Sequence, residues 1–164
     1  MSMRDRLLVI VTAALLLGAT SRPTRVVEPT YLPDATASRV VTVTEKGAAA
    51  AGITVLTEAV AIKETGPRAT VARFGEVYAF SPAFMAVHLD EPTEISFLNL
   101  QPDDDHDFML VAPDAHVLMN VLLPALRKTT YVFTFHEEGL FTFYCTMHQP
   151  EMTGLILVLP SRSG

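Results

Sequence analysis

The sequence has 164 residues, of which 49% are hydrophobic and only 18% are charged. A chain of this length and composition can bury the core of one domain. The composition therefore excludes an intrinsically disordered protein. Its formal net charge is −6 and it has no cluster of basic residues, which argues against nucleic acid as a partner.

The first 21 residues have the order of a secretory signal peptide. Arg4 and Arg6 precede an apolar run over residues 7–17, and small residues follow as far as Ser21. The apolar run is shorter than a typical membrane span. We therefore expect a periplasmic or extracellular protein, with residues 1–21 either removed as a signal or kept as a membrane anchor.

The next part of the chain is predicted to be a linker followed by a short extension. Residues 22–39 contain three prolines among polar residues, which is typical of a linker. Residues 40–68 are predicted as an N-terminal extension of uncertain packing. Its predicted elements are strands at residues 40–44 and 53–62 and a brief helix at residues 45–51, between Thr44 and Gly52.

From residue 69 onward the pattern is typical of β-strands, because short apolar runs are separated by Pro, Gly and Asp. Strands are predicted at residues 68–74, 84–89, 94–100, 106–112, 129–136, 140–145 and 154–159. Alternation places Ile95, Phe97 and Asn99 on one side of their strand. Residues 117–127 are apolar and could form an irregular loop or a short helix. This spacing predicts an all-β sandwich or barrel.

Cys145 is the single cysteine of the sequence, so it cannot form a disulfide within the chain. In an exported protein such a cysteine pairs with another molecule, stays buried and inert, or serves as a reactive thiol that binds metal. The sequence around Cys145 helps to choose between these alternatives.

The segment between the last two predicted strands offers Cys145, His148 and Met152 within eight residues. A thiolate, an imidazole and a thioether together favour copper, and a blue-copper site combines two histidines and one cysteine with a weak axial methionine. The second histidine must come from another strand, and His106, at the start of a predicted strand, is the best candidate. These four residues predict one copper ion per chain.

These motifs resemble the cupredoxin family of small blue, or type 1, copper proteins. The resemblance rests on the Cys-x2-His-x3-Met spacing from Cys145 to Met152, on Phe-Leu-Asn at residues 97–99 ahead of His106, and on the strand that leads to the cysteine. It covers about residues 69–160, and we assign residues 69–164 to the copper-binding domain. The resemblance implies a cupredoxin-like Greek-key β-sandwich that transfers single electrons.

Two related kinds of copper site fit the sequence less well. The binuclear centres of oxidase second subunits need two cysteines in the loop, and this loop has one. Red-copper, nitrosocyanin-like proteins use a carboxylate and an extra histidine, where this chain has Met152. The resemblance therefore favours the blue type.

Polar residues near the ligands are expected to support them. Asn99 could join the loop before His106 to the cysteine loop or be a plain turn residue, and Thr146 could make the same link from the other side. Their backbone N–H groups could donate to the thiolate. His106 is bracketed by four aspartates, Asp103, Asp104, Asp105 and Asp107. They could form a solvated turn. Alternatively, their negative charge could lower the reduction potential of the copper and attract a basic partner or copper ions.

The expected function is that of an electron carrier rather than an independent enzyme. Its partner would be a redox protein such as a cytochrome or an oxidase or reductase. One alternative is a periplasmic copper carrier or copper-resistance protein with the same ligands, and another is a structural domain that has lost copper. The ligands must be deprotonated to bind copper. Copper affinity should therefore fall as the pH drops below the usual histidine pKa of about 6.5. The sequence gives no indication of the oligomeric state.

Overall fold

Short strands joined by turns make up most of residues 30–162, which are the residues that the computed structural model describes. In chain order the strands are β1 (Val41–Thr44), β2 (Ala51–Ala61), β3 (Val77–Ser81), β4 (Phe84–His88), β5 (Thr93–Asn99), β6 (His106–Val111), β7 (Val117–Leu123), β8 (Lys128–Phe135), β9 (Gly139–Tyr144) and β10 (Thr153–Leu159). The same part of the chain also forms a 3-10 helix, Ala37–Arg39, and one α-helix, α1 (Arg68–Phe74).

The strands form two five-stranded sheets, with the orders β1-β8-β5-β2-β3 and β4-β10-β9-β6-β7. Most neighbouring strands are antiparallel, whereas β2 with β5 and β4 with β10 are parallel. The predicted all-β sandwich is therefore confirmed.

Aromatic side chains from both sheets fill the space between them. Phe97 of β5 and Phe133 of β8 come from the first sheet, and Phe108 of β6 and Phe143 of β9 come from the second; all four are fully buried. The ring of Phe108 lies with its centroid 4.6 Å from that of Phe97 and 5.1 Å from that of Phe143. The predicted alternation on β5 is confirmed, because Ile95, Phe97 and Asn99 are all buried.

The predicted helix at residues 45–51 is wrong, since this segment bends and Ala51 already begins β2. Ala51 pairs with Thr93 of β5, and the N–H of Ala50 donates to the carbonyl of Pro92 at 2.8 Å. Pairing between strands thus overrides the helix preference of the alanines.

The predicted strand at residues 68–74 is wrong, because this segment is α1. Pro67 stands at the N-cap, where its missing N–H costs nothing. Gly75, with φ 81°, ends the helix and donates its N–H to the carbonyl of Val71. The strand β3 that follows was not predicted.

The loop or helix predicted for residues 117–127 is also wrong, because residues 117–123 form strand β7. Strand β7 pairs with β6 over its whole length, from Val117 opposite Val111 to Leu123 opposite His106. It lies at the edge of the second sheet, yet most of its side chains are buried. A continuous apolar run of this kind does not by itself distinguish a strand from a helix.

Residues 40–68, predicted as an extension of uncertain packing, contribute β1 and β2 to the first sheet, where β2 lies between β5 and β3. The predicted signal and the first part of the predicted linker, residues 1–29, lie outside the described residues. In the rest of that linker, Tyr31 pairs with Asn120 of β7. No helix within residues 30–162 is long and apolar enough to cross a membrane.

Candidate metal centre

The topology brings the predicted ligands to one end of the sandwich. Strands β6 and β9 are antiparallel neighbours, with Met109 opposite Tyr144, so the start of β6, at His106, lies at the same end of the sheet as the residues that follow β9. Cys145 follows β9 directly, and the ligand loop, residues 145–152, carries His148 before β10 begins.

Three potential ligand atoms meet there in a small triangle. The Nδ1 atoms of His106 and His148 are 3.1 Å apart. The Sγ of Cys145 lies 3.5 Å from Nδ1 of His148 and 3.9 Å from Nδ1 of His106. His106 and Cys145 are 0% exposed and His148 is 6% exposed, so water has little access to the triangle.

The size of this triangle suits a metal ion. The centre of the circle through the three atoms lies about 2.0 Å from each of them, close to the bond lengths of about 2.0–2.3 Å that zinc makes to protein nitrogen and sulfur. Two imidazoles and one thiolate are also the donors of a trigonal copper site. Within the described residues, this is the one cluster of three or more His, Cys, Asp or Glu side chains placed to hold a metal.

Backbone hydrogen bonds close the ligand loop on itself. The N–H of Cys145 donates to the carbonyl of Met152 at 2.9 Å, and the N–H of Met152 donates to the carbonyl of His148 at 3.0 Å. The side chain of Met152 is fully buried. The loop therefore keeps Met152 beside Cys145 and His148, and together with His106 they could hold one copper ion.

The buried carboxylate of Asp107 links the ligand loop to β6. Its Oδ1 accepts a hydrogen bond from the N–H of Thr146 at 2.6 Å, and its Oδ2 accepts one from the Thr146 hydroxyl at 2.5 Å. Asn120 of β7 donates to the same Oδ2 at 3.2 Å. Because Asp107 follows His106 and Thr146 follows Cys145, this link fixes the spacing between two of the predicted ligands.

The sulfur of Cys145 is buried and lies among hydrogen-bonding groups. Burial raises the pKa of the thiol to about 12. Hydrogen bonds from the backbone N–H groups of Asp107 and Met147 act in the opposite direction, while the negative charge of Asp107 raises the pKa further. Asn99 and Thr146 were expected to supply these N–H groups, but their N–H groups donate to the Arg127 carbonyl and to Asp107.

Asn99 supports the loop that leads to His106, residues 100–105. Its Nδ2 donates to the carbonyls of Asp104 and Leu123, both at 2.9 Å. Its Oδ1 accepts from the hydroxyl of Thr57 on β2 at 2.7 Å. These bonds fasten the loop to β2 and β7, whereas the sequence suggested a link to the cysteine loop or a plain turn.

The four aspartates around His106 occupy different surroundings rather than forming one solvated turn. Asp107 is fully buried, whereas Asp103 and Asp105 are exposed. Asp105 accepts a hydrogen bond from the N–H of Ala125. Asp104 is partly buried and accepts a hydrogen bond from the Tyr78 hydroxyl. Only two of the four therefore present an exposed negative charge next to the site.

Tyr78 of β3 is a neighbour of the cluster that the sequence did not reveal. Its ring centroid lies 4.9 Å from that of His106 and 4.5 Å from that of His148. Burial and the adjacent Asp104 raise the pKa of its hydroxyl. The strand β3 itself was not predicted, so no pattern in the sequence pointed to this contact.

Three solved structures are similar to this chain. A multicopper oxidase matches with a TM-score of 0.52 and 13% identity, over 70% of this chain and 46% of that one. The copper nitrite reductase from Nitrosomonas europaea matches with a TM-score of 0.51 and 12% identity, over 70% of this chain and 51% of that one. Auracyanin B matches with a TM-score of 0.49 and 15% identity, over 74% of this chain and 99% of that one.

The chain has the cupredoxin fold. No family model and no curated protein matches its sequence, so the likeness is one of structure. The match spans about half of each of the two enzymes, 46% and 51%. The triangle of His106, Cys145 and His148 lies where strand β9 of this cupredoxin fold ends.

Proposed function

We propose that this cupredoxin-fold protein is an exported mononuclear copper protein that carries single electrons between redox partners. His106, Cys145, His148 and Met152 would hold the ion, which would supply a one-electron change between Cu(II) and Cu(I). The observation that carries the proposal is the buried triangle of two imidazole nitrogens and one thiol sulfur, with sides of 3.1 to 3.9 Å.

The surroundings of the triangle favour electron transfer, because they restrict movement of the ligands. Both segments that carry ligands are fixed, one by the bonds of Asn99 and the other by the pair Asp107–Thr146. Fixed ligands rearrange little when the charge of a metal changes, and little rearrangement makes electron exchange fast. Rigid support of this kind is typical of the residues around metal ligands.

One cavity among the described residues lies apart from the predicted ligands. It has a volume of about 590 Å³ and is lined by residues between Tyr31 and Val40 and by the β6–β7 and β8–β9 turns, with Asp114 and Glu138 among its residues. Those turns lie at the far end of β6 and β9 from His106 and Cys145.

Export and the nature of the partner rest on the sequence. The order of residues in the first 21 positions is that of a signal peptide, and the net charge of −6 favours a partner with a basic patch. The exposed Asp103 and Asp105 lie on the loop before His106, where such a patch would meet them. They would serve equally in a copper carrier, which is the second candidate.

Redox cycling in the presence of a copper chelator separates the two candidates. The copper-loaded protein would be reduced and reoxidised repeatedly while copper in the chelator is measured. An electron carrier takes up and returns one electron per chain in each cycle and keeps its copper. Rapid loss of copper to the chelator, above all on reduction, would contradict the proposal and support a copper carrier.

A further inference from the structure

Tyr78 reaches the copper site from the sheet opposite to the predicted ligands. His106 begins β6 and Cys145 follows β9, both in the second sheet, whereas Tyr78 lies on β3 at the edge of the first. The pairing of β2 with β3 shifts between Ala59 and Ala61, next to the position of Tyr78. A shift of this kind re-aims the side chains around it, and the ring of Tyr78 is only 2% exposed.

The ring of Tyr78 contacts both imidazoles at once. The interplanar angle is 65° with His106 and 57° with His148, and the two imidazole centroids are themselves 4.8 Å apart. Three rings packed this closely at steep angles hinder one another's rotation, since a turn of one ring brings it against its neighbours. The orientation of both histidines therefore depends on the ring of Tyr78.

The hydroxyl of Tyr78 holds the chain just ahead of His106. It donates a hydrogen bond to Oδ2 of Asp104, two residues before that histidine. The carbonyl of Asp104 accepts a hydrogen bond from Asn99 at 2.9 Å, so the segment is held from two sides. Ring and hydroxyl thus act on the same ligand-bearing segment.

We propose that Tyr78 is a positioning residue that locks both imidazoles in the ligand orientation and slows the exit of copper. It contacts the two histidines with its ring and controls the path of the His106 segment through Asp104. This role rests on the copper site proposed above. It makes Tyr78 one of the residues through which the first sheet governs how firmly the second sheet holds its ion.

The test measures the rate at which an excess of chelator removes copper from the full chain and from three variants. Tyr78→Leu removes the ring and the hydroxyl, and Tyr78→Phe removes the hydroxyl alone. Phe80→Leu is the matched control, because Phe80 is also 2% exposed on β3 but packs on Phe108 and Phe143. Its loss should lower stability without touching a histidine.

We expect Tyr78→Leu to release copper about 10–100-fold faster than the original protein, the factor by which residues that orient metal ligands typically change metal affinity. Tyr78→Phe should release copper at an intermediate rate, because it keeps the ring. Phe80→Leu should keep the original rate. The Tyr78 variants should also shift the visible band and the electron paramagnetic resonance spectrum of bound Cu(II), which a general loss of stability would not do.

Several outcomes would overturn the inference. Equal release rates for Tyr78→Leu and Phe80→Leu would show that the effect is one of stability alone. If Tyr78→Leu does not fold, an unchanged rate and spectrum in Tyr78→Phe would overturn it. If the original protein does not retain copper, the proposed copper site itself is wrong. If every variant retains copper as the original protein does, the copper site is supported and only the role proposed for Tyr78 is wrong.

Discussion

The carboxylate of Asp107 joins the chain at His106 to the chain at Cys145. It lies in the interior with three hydrogen bonds, two from Thr146 and one from Asn120. Its negative charge adds to burial in raising the pKa of Cys145. A negative charge next to a copper site stabilises Cu(II) more than Cu(I), so Asp107 should lower the reduction potential.

Asp107→Asn should raise the reduction potential, since the amide can still bond Thr146 but carries no charge. A tenfold change in the relative affinity for the two oxidation states corresponds to about 59 mV, and we expect a rise of at least that size. Voltammetry of the copper-loaded protein measures it. Asp114→Asn, in the exposed β6–β7 turn, is the control and should leave the potential unchanged. A fall in the Asp107→Asn potential would contradict this role.

The buried thiol makes copper binding depend on pH. The pKa of Cys145 is raised to about 12, so the metal-free protein holds a neutral thiol at ordinary pH, and copper must displace its proton. Removing that proton becomes easier as the pH rises, and copper affinity should increase by about tenfold per pH unit between pH 7 and 9. Competition with a chelator of known affinity measures this slope. An affinity that stays flat over that range would contradict thiolate ligation.

The site residues that the sequence indicates most directly are those that share a short motif. Cys145, His148 and Met152 lie within eight positions, and their donor atoms alone indicate copper. Tyr78 and the bonding of Asp107 could not be found in this way, because their partners are distant in the chain. Thr146 is 39 residues from Asp107, and only the pairing of β6 with β9 brings them together. The ligand roles themselves stay predictions until metal is measured.

Strand β10 closes the ligand loop and tolerates only glycine at its second position. A Cβ on Gly154 would lie 2.5 Å from the carbonyl oxygen of Ala83 and closer still to the ring of Phe143. Backbone cannot move aside as a flexible side chain can. The start of β10 is therefore set by close packing against β4 and β9.

Gly154→Ala should destabilise the protein by about 1–3 kcal/mol, the usual cost of overpacking a core. Gly52→Ala in β2 is the matched control, because the nearest atom to its added Cβ is the Glu94 carbonyl oxygen at 4.0 Å. Gly52→Ala should leave the free energy of unfolding unchanged or raise it by about 0.4–1 kcal/mol, since alanine restricts the unfolded chain. Urea denaturation compares the two, and equal stability would contradict the packing described for β10.

At the level of elements, most strands were predicted close to their observed bounds, including β6, which has no alternation, whereas β3, β7 and α1 were missed. Strands β5, β8, β9 and β10 were predicted close to their observed bounds, because one face of each is buried. The helix α1 was missed although Pro67 and Gly75 flank it. Strand β7 was missed because its run of buried side chains has no period of two.

The two ends of the sandwich carry different features. The end at His106 holds the buried ligand triangle, whereas the other end has the cavity of about 590 Å³. The first sheet includes β1 and β2, from the residues that the sequence assigned to an extension. Their partners β5 and β8 lie more than 30 positions away in the chain, so the sequence pattern alone could not place them.

A Cu(II) titration followed by visible absorption tests the central claim most directly, with Cys145→Ser as the control. The account predicts an intense charge-transfer band between thiolate and copper that saturates at one ion per chain and is absent in the control. A weak spectrum that Cys145→Ser does not change would contradict a copper–thiolate centre in this fold.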